Sequence, residues 1–380
     1  MKRVCLILIL LIFMPCIKVC AESQAFDGEV YREQYENSGA EKLFSELPAE
    51  VKKSFDGIGV NGADFNKIME INPESVLQNI LSTAQKKLPK PVKCISMVLA
   101  VILLSAIFSA LKISINEKSL TLVLDIVTAL CICMIVVAPI VDFVGRVATI
   151  IKGSTTFLLC YIPIMVGIMV AAGQTFSSVA FSSLMVTLGN VITQLSSGFL
   201  VPLLSVFLVL SIVSAISPRF KFSGLCELFS KVIKVVLGFV MTIFSGILTT
   251  KSLIGATVDS VNSKTVKFVL SSFVPIVGSA LGDAFLTVQG CVKILKSGVG
   301  AFFIIAIGFI FLPAIVECII WTFTMSICAS AGEIFELSSV TALLKNVGKV
   351  VSTLLAVVLC IMTILIISTV VVLNIGGGSG

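Results

Sequence analysis

Beyond residue 90 the chain is a succession of apolar stretches separated by short basic or polar breaks. Val92–Leu111 holds one charge, Lys93; Gly298–Ile320 holds only Glu317; Val350–Leu373 holds none. A helix needs about 20 apolar residues to cross a hydrocarbon core about 30 Å thick. The runs 92–111, 120–141, 155–173, 198–216, 233–250, 298–320 and 350–373 reach or approach that length. Ser177–Leu195 and Val266–Leu295 are more polar. They read either as spans facing protein or as re-entrant hairpins, because polar or broken helix at membrane depth must be covered by protein or line water. The pattern predicts an all-α, polytopic helical membrane protein of seven to ten spans.

The first 90 residues follow a different pattern. Lys2 and Arg3 precede an apolar core, Val4–Phe13, and Val19-Cys20-Ala21 offers small cleavage positions, so residues 1–21 read as a signal peptide. Residues 22–90 are then exported. They are polar, with two short amphipathic helices expected at Ala40–Leu47 and Pro73–Leu88, the second with Asn72 as its N-cap. This segment reads as a small helical unit that packs on the membrane body or on a partner. Residues 91–380 form the multi-span domain.

Composition agrees with a membrane protein: 57% of residues are hydrophobic and 13% charged, with mean hydropathy +1.12. There is no His, which removes the commonest general base and zinc ligand. The 12 Cys include no CxxC pair, so no metal site, disulfide framework or cofactor is expected. The net charge of +6 divides into +3 for residues 1–21, −4 for 22–90 and +7 for 91–380. The basic groups sit mostly between apolar runs, as loop anchors do, and form no patch suited to nucleic acid. Arg219, Lys221, Lys231 and Lys234 make the most basic break and are expected to face the cytoplasm, opposite the exported segment. Arg146 and Lys152 then fall on the outer side, against the charge rule.

The candidate functional residues are intramembrane carboxylates: Glu317, Asp283 and Asp125. A carboxylate at depth is costly, and it persists most easily when it is paired or hydrated. Lys293 and Lys296 become partners for them if 266–295 folds back as a hairpin. Pro139, Pro163, Pro202, Pro275 and Pro313 interrupt apolar runs and are expected to kink or end their helices. Phe222–Lys234 and Glu333–Lys349 read as Lys-bearing amphipathic stretches for the inner leaflet or a cytoplasmic partner. Similar strings at offsets of 111–115 residues suggest a direct repeat of 146–250 in 257–373.

The arrangement resembles the stage III sporulation protein AE family of endospore-forming bacteria. The likeness rests on the leader, the acidic exported segment, Asn72-Pro73 before the first span, and runs such as Tyr161-Ile162-Pro163-Ile164-Met165 and Ser272-Phe273-Val274-Pro275-Ile276-Val277-Gly278. It implies an integral subunit of a secretion-like channel between mother cell and forespore, needed for forespore development. The subunit would sit in the mother-cell membrane, in the lipid bilayer with the other membrane proteins of the complex. The resemblance assigns no role to any single residue. A stand-alone secondary transporter with internal repeats shares the architecture and is the competing reading. An enzyme is not expected, since no nucleophile–base pair or metal motif occurs.

Overall fold

The computed structural model describes residues 28–60, 62, 68, 71, 73–112, 118–216, 223–273 and 278–374, and the signal-peptide segment lies outside them. Every regular element among these residues is helical. Among the described residues of 28–87 lie α1 (Gly28–Ser38), α2 (Glu41–Ser45), α3 (Ala49–Asp56) and α4 (Pro73–Lys87), and Asn72 lies outside the described residues. The body follows with α5 (Pro89–Lys112), α6 (Lys118–Ala171), α7 (Thr175–Gln194), a π-helical turn (Leu195–Leu200), α8 (Val201–Ile216), α9 (Ser223–Phe273), α10 (Gly278–Ile334) and α11 (Ser338–Asn374). Of the two helices expected before residue 90, both are present; α1 and α3 are additional.

Six helices among the described residues are long and apolar enough to cross a membrane. This is fewer than the seven to ten runs in the sequence, because helices pass through breaks that read as loops. The runs 120–141 and 155–173 share α6, a helix of 54 residues. The run 233–250 continues into 251–273 as α9, of 51 residues. Val266–Leu295 is divided between the end of α9 and the start of α10. Ser177–Leu195 lies almost wholly in α7, whose Ser177, Ser178, Phe181, Leu184 and Leu188 are buried. Pro139 and Pro163 lie inside α6 and Pro313 inside α10, so none of the three ends its helix. A proline removes one backbone hydrogen bond, and packed neighbours hold the helix through that loss. Pro275 lies outside the described residues.

α10 runs antiparallel to α6 and α11, and α9 runs parallel to α11, with Ser230 at Thr353 and Leu237 at Cys360. At one end, here termed distal, residues 172–174 turn α6 into α7, with Gly173 at φ 77°. Gln174 N–H closes that turn on Met169 C=O at 2.8 Å, a glycine-dependent helix terminus. At the other, basal end, residues 335–337 turn α10 into α11, with Glu336 at φ 56°. Close approaches fix the pairing of the α10–α11 hairpin: a Cβ added at Gly332 would meet Thr341, at Gly348 Met325, and at Gly300 Leu373. α10 is the most deeply buried of the six apolar helices. At about 1.5 Å per residue, α6, α9 and α10 extend about 75–85 Å, more than twice a hydrocarbon core of about 30 Å.

The segment 28–87 packs beside the distal half of this bundle. Its Leu43, Leu47, Val51, Phe55 and Val60 are buried. Phe55 reaches α10, with ring centroids 5.1 Å from Phe302 and 5.4 Å from Phe309. On the neighbouring face of α10, Phe303 stacks on Tyr161 at 4.0 Å and Phe157 at 5.5 Å, both from α6. Rings in such offset and edge contacts add to what area burial alone supplies. Replacing Phe55 by Ala should therefore cost on the order of 3–5 kcal/mol of docking and packing. Limited proteolysis of the purified protein should cut within residues 28–87 faster in Phe55→Ala, with the fragment beyond residue 90 intact; equal cutting in both proteins would contradict this.

Candidate intramembrane ionic site

Glu317 sits on α10 four residues past Pro313, facing protein. Its carboxylate is nearly buried, with 7% of the side chain exposed. Arg146 of α6 donates from Nη2 to Glu317 Oε1. Lys87, the last residue of α4, places Nζ 3.7 Å from Oε2. One carboxylate thus takes a cation on each oxygen and ties three elements together. The Arg146 guanidinium also lies 5.7 Å from the ring centroid of Phe143, which favours its position through the ring's electron-rich face. Arg146 sits against the charge rule in sequence because it is a partner for Glu317 within a continuous helix, not a loop anchor.

A second buried cluster lies at the distal turn. Asp259 of α9 accepts from the backbone N–H of Phe176 at 3.0 Å and of Ser177 at 2.9 Å. These are amides of the first turn of α7, which have no partner inside the helix, so the carboxylate caps α7 from another element. Lys296 of α10 is buried and donates to Gln174 Oε1 at 2.8 Å, and it interacts electrostatically with Asp259. Gln289 Nε2 donates to Ala172 C=O at 3.4 Å. The approach of α9 to α7 is close, for a Cβ on Gly255 would stand 2.6 Å from Ser177 Oγ. Lys296 therefore serves the distal turn rather than Glu317, because α10 runs as one helix and carries the two residues some 21 positions apart, or roughly 30 Å.

Smaller polar contacts link the basal half. Thr128 Oγ1 donates to Ser105 Oγ at 3.0 Å between α6 and α5, and Ser230 and Thr353 hydroxyls meet at 2.7 Å between α9 and α11. At the basal end Lys345 pairs with Glu333, and Lys349 approaches Glu227 at 3.9 Å. The stretches 222–234 and 333–349 are therefore ends of long helices joined to one another, not separate amphipathic helices on a leaflet.

The sequence candidates separate accordingly. Glu317 is brought into an ionic cluster. Asp125 lies half-buried on α6 and has an interaction of its own, away from Glu317 along the helix. Asp283 falls within α10, with its side chain outside the described residues. Lys231 and Lys234 are exposed near the start of α9, while Arg219 and Lys221 lie outside the described residues. Asp259, Arg146 and Lys87 were not singled out by sequence reasoning. Asp259 has a signal in hindsight: it lies in Leu253–Val261, an otherwise uncharged string. No group of three or more metal-ligating side chains occurs among the described residues.

Residues 63–376 match the family model described as stage III sporulation protein AE. The stage III sporulation protein AE of Bacillus subtilis (strain 168) is 29% identical over 150 residues, covering 40% of this chain and 38% of that protein. The chain therefore aligns with well under half of that relative's length. No solved structure matches.

Two variant sets test the clusters. Removing one partner of a buried pair leaves an uncompensated charge and costs several kcal/mol, whereas removing both is milder. Arg146→Leu should lower the unfolding temperature of the purified protein more than the double variant Arg146→Leu/Glu317→Gln does. Strictly additive losses would refute the coupling. At the distal turn, Asp259→Asn keeps one acceptor and Asp259→Ala none. Stability should fall in the order Asp, Asn, Ala, with the Ala loss about 1–2 kcal/mol or more, and equal values for Asp and Ala would show that the cap contributes nothing.

Proposed function

The chain belongs to the stage III sporulation protein AE family of sporulation proteins, and from that premise we propose that it is an integral membrane subunit of a secretion-like channel between mother cell and forespore. The observation that carries this reading is the Glu317 cluster. It uses a buried carboxylate to fasten the 28–87 segment, through Lys87, to the two helices that bear Glu317 and Arg146. A charge so spent builds an assembly that holds an extramembrane unit in a fixed place, as a subunit needs for presenting a partner surface.

The same geometry supports a placement in the bilayer. One bilayer accommodates one tier of helices about 75–85 Å long. The basal tier has the right flanks: α5 runs from the level of Glu317 to the basal end, and Lys231 and Lys234 are exposed there. In this placement the basal end is cytoplasmic by the basic-residue rule. Residues 28–87, with exposed Arg32, Glu36, Glu41, Lys42, Glu46 and Lys53, stand in water on the other side, and the distal tier projects beside them from the mother-cell membrane toward the forespore. Sister membrane proteins of the complex are the proposed partners.

Affinity capture of the protein from membranes of sporulating cells, followed by mass spectrometry, should recover other membrane proteins of the same complex. Recovery of the chain alone, with full spore formation after disrupting every candidate partner, would leave the stand-alone transporter. Topology has its own readout in a background freed of native Cys. A Cys at position 36 should react with an impermeant thiol reagent in intact mother cells and a Cys at position 224 should not. The reverse pattern would overturn the placement.

A further inference from the structure

Between α3, α4 and Pro313 of α10 lies a cleft of about 600 Å³, within the size range of small-ligand sites. Its charged lining is Lys53, Lys86 and Lys87 against one carboxylate, Glu50, so it carries a net positive charge. Lys87 is shared with Glu317. Lys53 and Lys86 have no ion pair or hydrogen bond among the described residues. The cleft thus holds two uncommitted ammonium groups and a third held by a distant 3.7 Å contact.

The uncharged lining narrows the chemistry. Ser54 Oγ donates to Glu50 C=O, Ser82 Oγ and Thr83 Oγ1 both donate to Asn79 C=O, and Asn79 Nδ2 donates to Ser54 C=O. The three hydroxyl hydrogens are used within the protein, and Asn79 keeps one N–H beside its carbonyl oxygen, so these side chains offer the cleft mainly oxygen lone pairs. A complementary ligand presents an anion to the lysines and hydroxyl donors to the oxygens. We propose that this cleft binds a phosphate ester of a polyol, a phosphoglycerol group. Its phosphate sits among Lys53, Lys86 and Lys87, and its hydroxyls donate to Ser82, Thr83 and Asn79. Position gives an independent reason. Lys86, Lys87, Lys90 and Lys93 crowd the entry to apolar α5, where Leu88 and Val92 are exposed. Lysines at the head of a span lie within a Debye length of the lipid phosphates of whichever leaflet they face. The proposal does not rest on the channel reading. Occupancy would draw Lys87 from Glu317, coupling the ligand to α10.

The phosphoglycerol has two sources, an anionic lipid headgroup or a soluble ester, and the test separates them. Full-length protein in neutral detergent is titrated with glycerol phosphate and with inorganic phosphate. In nanodiscs it is compared in phosphatidylglycerol, phosphatidylserine and phosphatidylcholine, following the unfolding temperature. Binding of glycerol phosphate that weakens about tenfold or more in Lys53→Gln/Lys86→Gln supports a soluble source. Stabilisation by phosphatidylglycerol above phosphatidylserine, lost in that variant, supports a lipid source. Both lysines are exposed, so the variant should fold, and its elution volume checks this. Lys90→Gln/Lys93→Gln, outside the cleft lining, should retain the effect. Equal responses to glycerol phosphate and inorganic phosphate, with equal responses to the two anionic lipids, would overturn the polyol assignment. No response sensitive to Lys53 and Lys86 would overturn the site.

Discussion

A buried carboxylate in an apolar body must find positive charge, and Glu317 finds it on two different elements. Most of the arrangement follows from that requirement. Arg146 is held against α10 at mid-length of α6, in a Gly- and charge-containing stretch that continues as helix. Lys87 is held at the same carboxylate, so α4 ends where α5 must begin. The segment 28–87 is thereby brought beside the distal half of α10, and Phe55 completes its attachment with apolar area. The two contacts differ in kind: the ionic one is directional but costs desolvation, and the aromatic one is favourable but weakly directional.

The bundle has two tiers with the Glu317 cluster between them and a polar fastening near each end. Asp259, Lys296 and Gln174 hold the distal turn, and Glu333 with Lys345 holds the basal one. Between these levels the helices meet through aliphatic and aromatic side chains and through small residues such as Gly300 and Gly348. Register along such uniform surfaces is weakly defined by packing alone. Buried charges at two heights set it for α10, because sliding that helix by one turn would separate Glu317 from Arg146 and Lys296 from Gln174.

The class of fold was legible in the sequence because apolar length alone carries it. Helix boundaries were not. Asp142, Arg146, Gly145 and Lys152 form a local pattern that reads as a loop, and the carboxylate that gives Arg146 a partner inside the bundle lies 171 residues away. The choice of Glu317 as a residue facing protein was legible from its isolation in Gly298–Ile320. Its partners were not, since Lys293 and Lys296 are nearer in sequence and the true cations come from α4 and α6. Asp259 went unremarked because it lies beside Lys251, Lys264 and Lys267 in a stretch that looks like an ordinary basic loop. Its role depends on α7 folding back to present two backbone amides.

The two most buried apolar helices are the last to be synthesised. α10 is the most buried of the apolar helices and α11 its hairpin partner, yet they are translated after all the helices that surround them. Arg146 is made 171 residues before Glu317, which at 5–20 residues per second is a wait of roughly ten to thirty seconds. For that interval Arg146 and Lys87 are cations without their acid, and the aromatic rings of Phe55, Phe157 and Tyr161 lack the helix they close upon. The bundle around α10 therefore closes only once the C-terminal hairpin has been made.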